Sequence, residues 1–224
     1  RFLIAGNRLL FMEFPVECRQ MLDKTVSWKR KPSVDMPRFV QAGKRGAGTS
    51  AAQGLTDHFR KGSFHGFLQE KEKKSEIKAF ATGDIIALKD VKDQMFSAGL
   101  MGQGIAIESD DGKFYSPVNG TITMLFPTKH ALGIKSDDGY ELLLHIGVDT
   151  VGLKGEGFTA FVQDGQKVSA GDALLQADLE FIRSKGLETS AILCVTEPHE
   201  PEITFTTEER VYAARDVVAT IKLS

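Results

Sequence analysis

Residues 131–147 read ALGIKSDDGYELLLHIG, and this stretch decides the fold class. Two apolar runs flank the turn signal Asp137-Asp138-Gly139. Asp-Gly pairs supply the positive φ angles that tight hairpin turns require. The stretch therefore predicts two antiparallel strands, at 131–136 and 140–146, joined by a short turn.

The same pattern of short apolar runs closed by turn pairs recurs from Ile77 onward. A helical turn is predicted only at Leu179–Lys185. Many short strands separated by regular turn signals are typical of an all-β sandwich or barrel. The further predicted strands are 84–88, 104–108, 113–116, 121–126, 158–162, 173–176, 191–196 and 217–222.

The chain divides into two segments of opposite charge. Residues 1–76 hold 15 Lys and Arg against 8 Asp and Glu, whereas residues 77–224 hold 13 against 22. The charged run 69–76 is typical of a linker or a solvated helix. We therefore predict an irregular basic N-terminal tail or linker at 1–76 and a β domain at 77–224.

Composition excludes several classes of protein. The chain is 42% apolar and 26% charged, as expected for a protein with a buried core, and it has no run of 18 apolar residues that could form a membrane-spanning helix. An acidic β domain is a poor binder of nucleic acid, because phosphate selects Lys and Arg. Cys18 and Cys194 are too far apart in sequence to suggest a disulfide framework, which favours a reducing cytoplasm. The first residues lack the pattern of a signal peptide, and the absence of an initial Met suggests a fragment of a longer chain.

Two of the five histidines are candidates for a site. In the predicted strand 140–146, His145 shares a face with Leu143, and a histidine among so many apolar residues must be hydrogen-bonded or exposed at a site. Pairing about Asp137-Asp138 places His130 opposite His145, about 5 Å away on the same face. A pair of core histidines without function is the alternative. The remaining histidines are predicted to be solvated: His58, His65 and His199.

Three kinds of site compete for such a pair. A zinc hydrolase needs a third protein ligand, and the sequence has neither His-x-His nor His-Glu-x-x-His. A biotinyl or lipoyl carrier would suit the turn at 166–172, but it needs an attachment lysine at a hairpin tip, and Lys129 is followed by His130 rather than by methionine. A phosphorylated histidine fits, because neutral imidazole is a good nucleophile and a second imidazole can donate to phosphoryl oxygens.

Five sequence blocks, in order, carry a resemblance to a known family. The blocks are Tyr115-Ser116-Pro117-Val118-Asn119-Gly120, Phe126-Pro127-Thr128-Lys129-His130-Ala131, Leu144-His145-Ile146-Gly147-Val148-Asp149-Thr150-Val151, Leu153-Lys154-Gly155-Glu156-Gly157-Phe158, and Gly165-Gln166-Lys167-Val168 with Gly171-Asp172. On these blocks, residues 77–224 closely resemble the IIA domain of the glucose class of the bacterial phosphoenolpyruvate-dependent sugar phosphotransferase system, as found in permeases for glucose, N-acetylglucosamine, sucrose or β-glucosides. The resemblance implies an antiparallel β-sandwich, or flattened barrel.

The resemblance also implies roles for individual residues. His145 matches the family's phosphorylated histidine, His130 its partner in the site, and Thr128 the residue that hydrogen-bonds within this pair. One departure is Gln103, where the family usually has an acidic residue, so one acidic contact of the docking face is missing. The residues implied to contact partner proteins are Asp149, Ile105, Phe126 and Ile146.

The implied function is a phosphoryl relay without cofactor or metal. The histidine-containing phosphocarrier protein would phosphorylate His145, which would pass the group to a cysteine of a IIB domain. The protein would be cytoplasmic and would meet the membrane only through the permease. The alternative is a regulatory binding module that contacts transporters or enzymes without relaying phosphate. The sugar, and any role of residues 1–76 or Cys18, are left open by the sequence.

Overall fold

The computed structural model of the chain describes residues 73–197 and 202–223. The predicted tail up to residue 72, with Cys18, His58 and His65, lies outside the described residues, as does His199. All three sheets of the described part are antiparallel, and together they form a β-sandwich. The predicted all-β class is therefore confirmed.

The largest sheet has eight strands, and it contains the histidine-bearing hairpin. The bounds of its strands are β2 Gly83–Ala87, β3 Gln103–Ser109, β5 Gly120–Leu125, β6 Ala131–Ser136, β7 Glu141–Ile146, β9 Lys167–Val168, β11 Ala191–Glu197 and β13 Arg210–Val211. Across the sheet, the strand order is β13-β2-β3-β11-β7-β6-β5-β9.

Two three-stranded sheets complete the sandwich. Their strands are β1 Lys74–Lys78, β4 Lys113–Tyr115, β8 Phe158–Ala160, β10 Ala173–Ala177, β12 Ile203–Phe205 and β14 Val217–Lys222. The strand orders are β1-β14-β12 and β4-β10-β8. Helical structure in the described part is confined to α1, Gln94–Ser97, α2, Leu179–Ser184, and two 3-10 turns at Leu88–Asp90 and Thr150–Leu153.

Strand alternation explains how the core is filled. Leu142, Leu144 and Ile146 of β7 point into a hydrophobic cluster to which all three sheets contribute. Full burial of one such side chain contributes roughly 1.5–3 kcal/mol. Leu143 and His145 lie on the other face of the sheet, as the alternation predicted. The cluster includes, from the other sheets, Ile77, Phe114, Phe158, Leu174, Val218 and Ile221.

The register of the β6–β7 hairpin differs from the prediction by one residue. His145 pairs with Ala131 rather than with His130. The connection is a three-residue loop, 137–139, closed by the Ser136 N–H, which donates to the Tyr140 carbonyl at 2.8 Å. Gly139 supplies the positive φ of +100° that this loop requires. A loop of three residues instead of two shifts the pairing by one.

Strand β1 was not predicted. Its first residues, Lys74 to Glu76, belong to the charged run that was assigned to a linker or a solvated helix, yet they pair with β14. The Ser75 hydroxyl lies 2.6 Å from an Asp138 carboxylate oxygen and 2.9 Å from the Tyr140 hydroxyl, so β1 is tied to the tip of the hairpin. A domain boundary at residue 76 would cut this strand.

Candidate active site

His145 is the last residue but one of β7 and lies on the face of the large sheet that is turned away from the core. Its neighbours across the ladder are Ala131 of β6 and Ile192 of β11, and both are fully buried. The imidazole is half-buried. An apolar floor of this kind offers no charge or hydrogen bond to the ring, so the partners of His145 must come from segments outside the regular sheet.

One ring nitrogen of His145 has a fixed role. The Nδ1 atom lies 2.8 Å from the Gly147 carbonyl oxygen. Because a carbonyl only accepts, Nδ1 carries the proton, and Nε2 of the neutral ring keeps its lone pair. The side chain is therefore held in the tautomer that exposes Nε2 as a nucleophile.

Gly147 can hold this carbonyl only because it is glycine. Its φ is +73°, and a Cβ there would lie 2.4 Å from Cγ2 of Thr150 and 2.6 Å from the carbonyl oxygen of Glu188. Thr150 is itself fixed, since its hydroxyl donates to the Ile146 carbonyl at 2.5 Å. Any larger residue would displace the acceptor of the His145 proton.

His130 reaches His145 from a turn that precedes β6. The turn places Lys129 in the left-handed region, at φ 55°, and the His130 carbonyl accepts from the Ile146 N–H at 2.8 Å. The two imidazole rings lie 4.9 Å apart between centroids and are nearly perpendicular. The Thr128 hydroxyl oxygen lies 2.6 Å from Nδ1 of His130. The structure thus brings together the three predicted site residues, although the strand register differs from the predicted one.

Two phenylalanine rings flank the histidines. Phe126 packs edge-on against His130 at 5.4 Å between centroids, and Phe96 packs against His145 at 5.1 Å. Phe96 was not among the predicted site residues. Its helix α1 is capped by Asp93, whose carboxylate accepts from the backbone N–H groups of Met95 and Phe96. An Asp cap before an apolar pair, followed by Gly99, is a start and stop signal that could have located this helix.

Burial controls the protonation of the site. Desolvation lowers the pKa of His145 to about 4, while its bond to the Gly147 carbonyl acts in the opposite direction. His145 is therefore neutral near pH 7. Cys194, on the neighbouring strand β11, is fully buried, and desolvation raises its pKa to about 12, so this thiol stays protonated.

The residues expected to dock partners divide into two groups. Asp149 is exposed, in a left-handed conformation at φ 59°. Ile105 and Ile146 are only 4% and 0% exposed and lie in the hydrophobic cluster, because strand alternation turns them inward. Phe126 is 6% exposed and supports His130. A large apolar residue that is exposed is Leu100, at 57%, which follows α1, the helix whose Phe96 contacts His145.

The described residues bring two imidazoles to the site and no third metal ligand. Within residues 73–197 and 202–223, no group of three or more His, Cys, Asp or Glu side chains is arranged to bind a metal ion. The geometry does not supply the ligand set that a zinc hydrolase requires. In the same part of the chain, no helix is long and apolar enough to cross a membrane.

The chain is similar to members of one known protein family. Residues 75–200 match the family described as "phosphoenolpyruvate-dependent sugar phosphotransferase system, EIIA 1". The glucose-specific EIICBA component of Streptococcus pneumoniae is 43% identical over 153 residues, 68% of this chain and 21% of that protein. The β-glucoside-specific EIIBCA component of Bacillus subtilis is 45% identical over 152 residues, 67% of this chain and 25% of that protein.

Among solved structures, the glucose permease IIA from Mycoplasma capricolum is similar, with a TM-score of 0.63 and 38% sequence identity. The match covers 66% of this chain and 96% of that one. The curated relatives are much longer, and the aligned region spans only a fifth to a quarter of their length. The similarity is therefore to one domain of those proteins.

Proposed function

The chain belongs to the EIIA family of the phosphoenolpyruvate-dependent sugar phosphotransferase system, and from this membership we propose that it carries a phosphoryl group on Nε2 of His145. The observation that supports this most directly is the bond from Nδ1 of His145 to the Gly147 carbonyl. It leaves Nε2 unprotonated beside a second imidazole. A neutral imidazole attacks without first losing a proton.

In the proposed uptake step, Nε2 of His145 attacks the phosphorus of a phosphohistidine on the histidine-containing phosphocarrier protein. The new Nε2–P bond forms as the donor's P–N bond breaks, and the donor imidazole leaves with the electron pair. In the release step, a cysteine thiolate of a IIB domain attacks the same phosphorus, and His145 is the leaving group. Apart from the bond that His145 forms and breaks, the protein supplies position and hydrogen bonds.

His130 is proposed to stabilise the charge that develops on the phosphoryl oxygens. When the Thr128 hydroxyl donates to Nδ1 of His130, the proton of that ring lies on Nε2. An N–H at this position, with the rings 4.9 Å apart, is within reach of a group bound to His145. Preorganised donors of this kind cost no reorganisation when the phosphoryl group transfers.

Partner docking is proposed to use the exposed surface around α1 rather than the buried isoleucines. Leu100 supplies apolar area, and Asp149 supplies negative charge next to the site. A modest apolar patch with a charged rim suits a transient complex, and the rim charge mainly sets the association rate. The family relationship supports the IIB domain of a permease as the acceptor, because both curated relatives are fused components whose names include a B part. A cytoplasmic location follows from this proposal.

The experiment is a complete relay with radiolabelled phosphoenolpyruvate, the upstream carriers and a IIB domain. We expect acid-labile label on the chain, dependent on the phosphocarrier protein, and its discharge to the IIB cysteine. His145→Ala is the matched control and should stay unlabelled. A wild-type chain that never takes up label would contradict the proposal and favour a regulatory module that acts through protein contacts alone.

A further inference from the structure

Three neighbouring strands of the large sheet share one row of paired residues close to His145. Ile107 of β3, Ala191 of β11 and Ile146 of β7 are paired across the large sheet. One step beyond this row lie Glu108, Ser190 and Gly147. The Gly147 N–H donates to the Ser190 carbonyl at 3.0 Å, so the ladder continues past the assigned end of β7.

The Glu108 carboxylate collects three hydrogen bonds at the end of this row. It accepts from the Thr189 hydroxyl at 2.6 Å, from the Ser190 hydroxyl at 3.0 Å and from the Arg183 guanidinium at 3.1 Å. Thr189 and Ser190 are only 3% and 7% exposed. Without the carboxylate, both hydroxyl groups would lose a partner in a place that water reaches poorly, and the segment 188–190 would have to move to satisfy them.

That segment fixes the position of Gly147. Besides the bond from Gly147 to Ser190, the Val148 N–H donates to the Glu188 carbonyl at 3.2 Å. The Glu188 carbonyl also lies so close to Gly147 that a Cβ there would be 2.6 Å from its oxygen. Gly147 therefore follows the backbone of 188–190, and its own carbonyl holds the Nδ1 proton of His145.

We propose that Glu108 is a positioning residue for His145. Through Thr189, Ser190 and Gly147, it sets the place of the carbonyl that selects the Nδ1–H tautomer and aims Nε2 outward. Its effect on phosphoryl transfer rests on the proposed function, whereas its effect on the tautomer does not. The sequence offered no sign of this role, because Glu108 is distant in the chain from both histidines.

The test compares Glu108→Ala with Glu108→Gln in the full chain. The first readout is the ¹⁵N NMR spectrum of His145 in the unphosphorylated protein, which distinguishes a protonated from an unprotonated ring nitrogen. We expect one tautomer in the wild type and a mixture in Glu108→Ala. The second readout is the rate of phosphoryl uptake, which should fall by up to about 10²-fold, the cost of a displacement near 1 Å. Glu108→Gln keeps the side-chain length and one accepting oxygen. It should therefore keep most of the wild-type tautomer and most of the wild-type uptake rate.

Glu141→Ala is the matched control. Glu141 is also an acidic residue of the large sheet and pairs with Lys135 at 3.5 Å, but it lies at the opposite end of β7 from His145. This variant should keep the wild-type tautomer and uptake rate. If Glu108→Ala fails to fold, Ser190→Ala decides instead, because it removes a single hydroxyl donor and should shift the tautomer in the same direction.

A folded Glu108→Ala protein with the wild-type tautomer overturns the inference, whatever its uptake rate. Failure of the proposed function has a different signature, since the wild type would take up no phosphoryl group while the tautomer still responded to Glu108. The inference would also be overturned if Glu141→Ala changed the tautomer and the uptake rate as much as Glu108→Ala does. That result would show that any loss of charge on the sheet has the same effect.

Discussion

The two faces of β7 are built by different rules. The inner face, Leu142, Leu144 and Ile146, needs only strand alternation to reach the core. The outer face carries His145, and the groups that orient or cover this ring come from outside the sheet: the turn that bears His130, Gly147 after the end of β7, and Phe96 of helix α1. Alternation is thus enough to make a stable sandwich, but the reactive geometry depends on turns held in conformations that most residues avoid.

Three residues close in sequence to the two histidines have a left-handed backbone conformation: Lys129, Gly147 and Asp149. Each precedes or follows a histidine by a few residues. Backbone strain of this kind costs of order 1–3 kcal/mol for a non-glycine residue and persists where the surrounding structure enforces it. The packed core holds these residues in place, so burial of the inner face makes the strained backbone around His145 possible.

The largest expected effect is a complete loss of phosphoryl uptake without a loss of stability, caused by a substitution on the outer face. His145→Ala removes the nucleophile, so no phosphoryl group should appear on the chain, while the free energy of unfolding at pH 7.5 should remain close to that of the wild type. Radiolabel uptake and urea unfolding measure the two quantities. Label on another residue of this variant would show that the outer face has a different nucleophile.

His130→Gln tests the helper role on the same face. The amide keeps a hydrogen-bond donor but loses the aimed imidazole N–H. Uptake by His145 should continue, whereas discharge to the IIB cysteine should slow by about 10²–10³, the typical cost of losing one preorganised donor. Separate rapid-mixing rates for uptake and discharge check this. Loss of uptake with normal discharge would reverse the roles assigned to the two histidines.

Leu144→Ala addresses the inner face. Leu144 is fully buried in the core cluster, so its truncation should lower the free energy of unfolding by about 2–5 kcal/mol. Its neighbour Leu143 lies on the outer face, outside the core cluster and 6% exposed, and Leu143→Ala should cost less. Urea unfolding of both variants gives the comparison. A larger loss for Leu143→Ala would break the distinction between the faces.

The inner face was largely predictable from the sequence, and the outer face only in part. The ten predicted strands all form, because their alternation and turn signals are local properties of the chain. Strand β1 was missed because three charged residues surround Ile77 and Ser75, and its pairing with β14 is a long-range contact. The histidine pair was found from the hairpin, yet its register depended on the length of the loop at 137–139. Phe96 reaches His145 through tertiary packing, and Glu108 is connected to it only through the segment 188–190, so neither relation follows from a local pattern.

The smallest expected effect is a dependence of stability on pH that belongs to the outer face alone. The pKa of His145 is about 4 in the folded protein and near 6.5 in an unfolded chain, because burial disfavours the charged ring. Between these values the unfolded chain binds more protons than the folded one, so stability rises with pH. The part of the folding stability that depends on a neutral His145 is therefore fully present above pH 6.5 and is lost as the pH falls toward 4.

Between pH 7.5 and 5.5, this difference amounts to roughly 1 kcal/mol, which urea unfolding resolves. His145→Gln removes the titrating group, so its stability should fall by about that much less than the wild type's over the same range. Leu144→Ala lowers stability at every pH and should leave the slope unchanged, because its side chain does not titrate. A wild-type slope that survives His145→Gln would mean that another group is responsible, and that His145 is less desolvated by Phe96 and the sheet than its packing indicates.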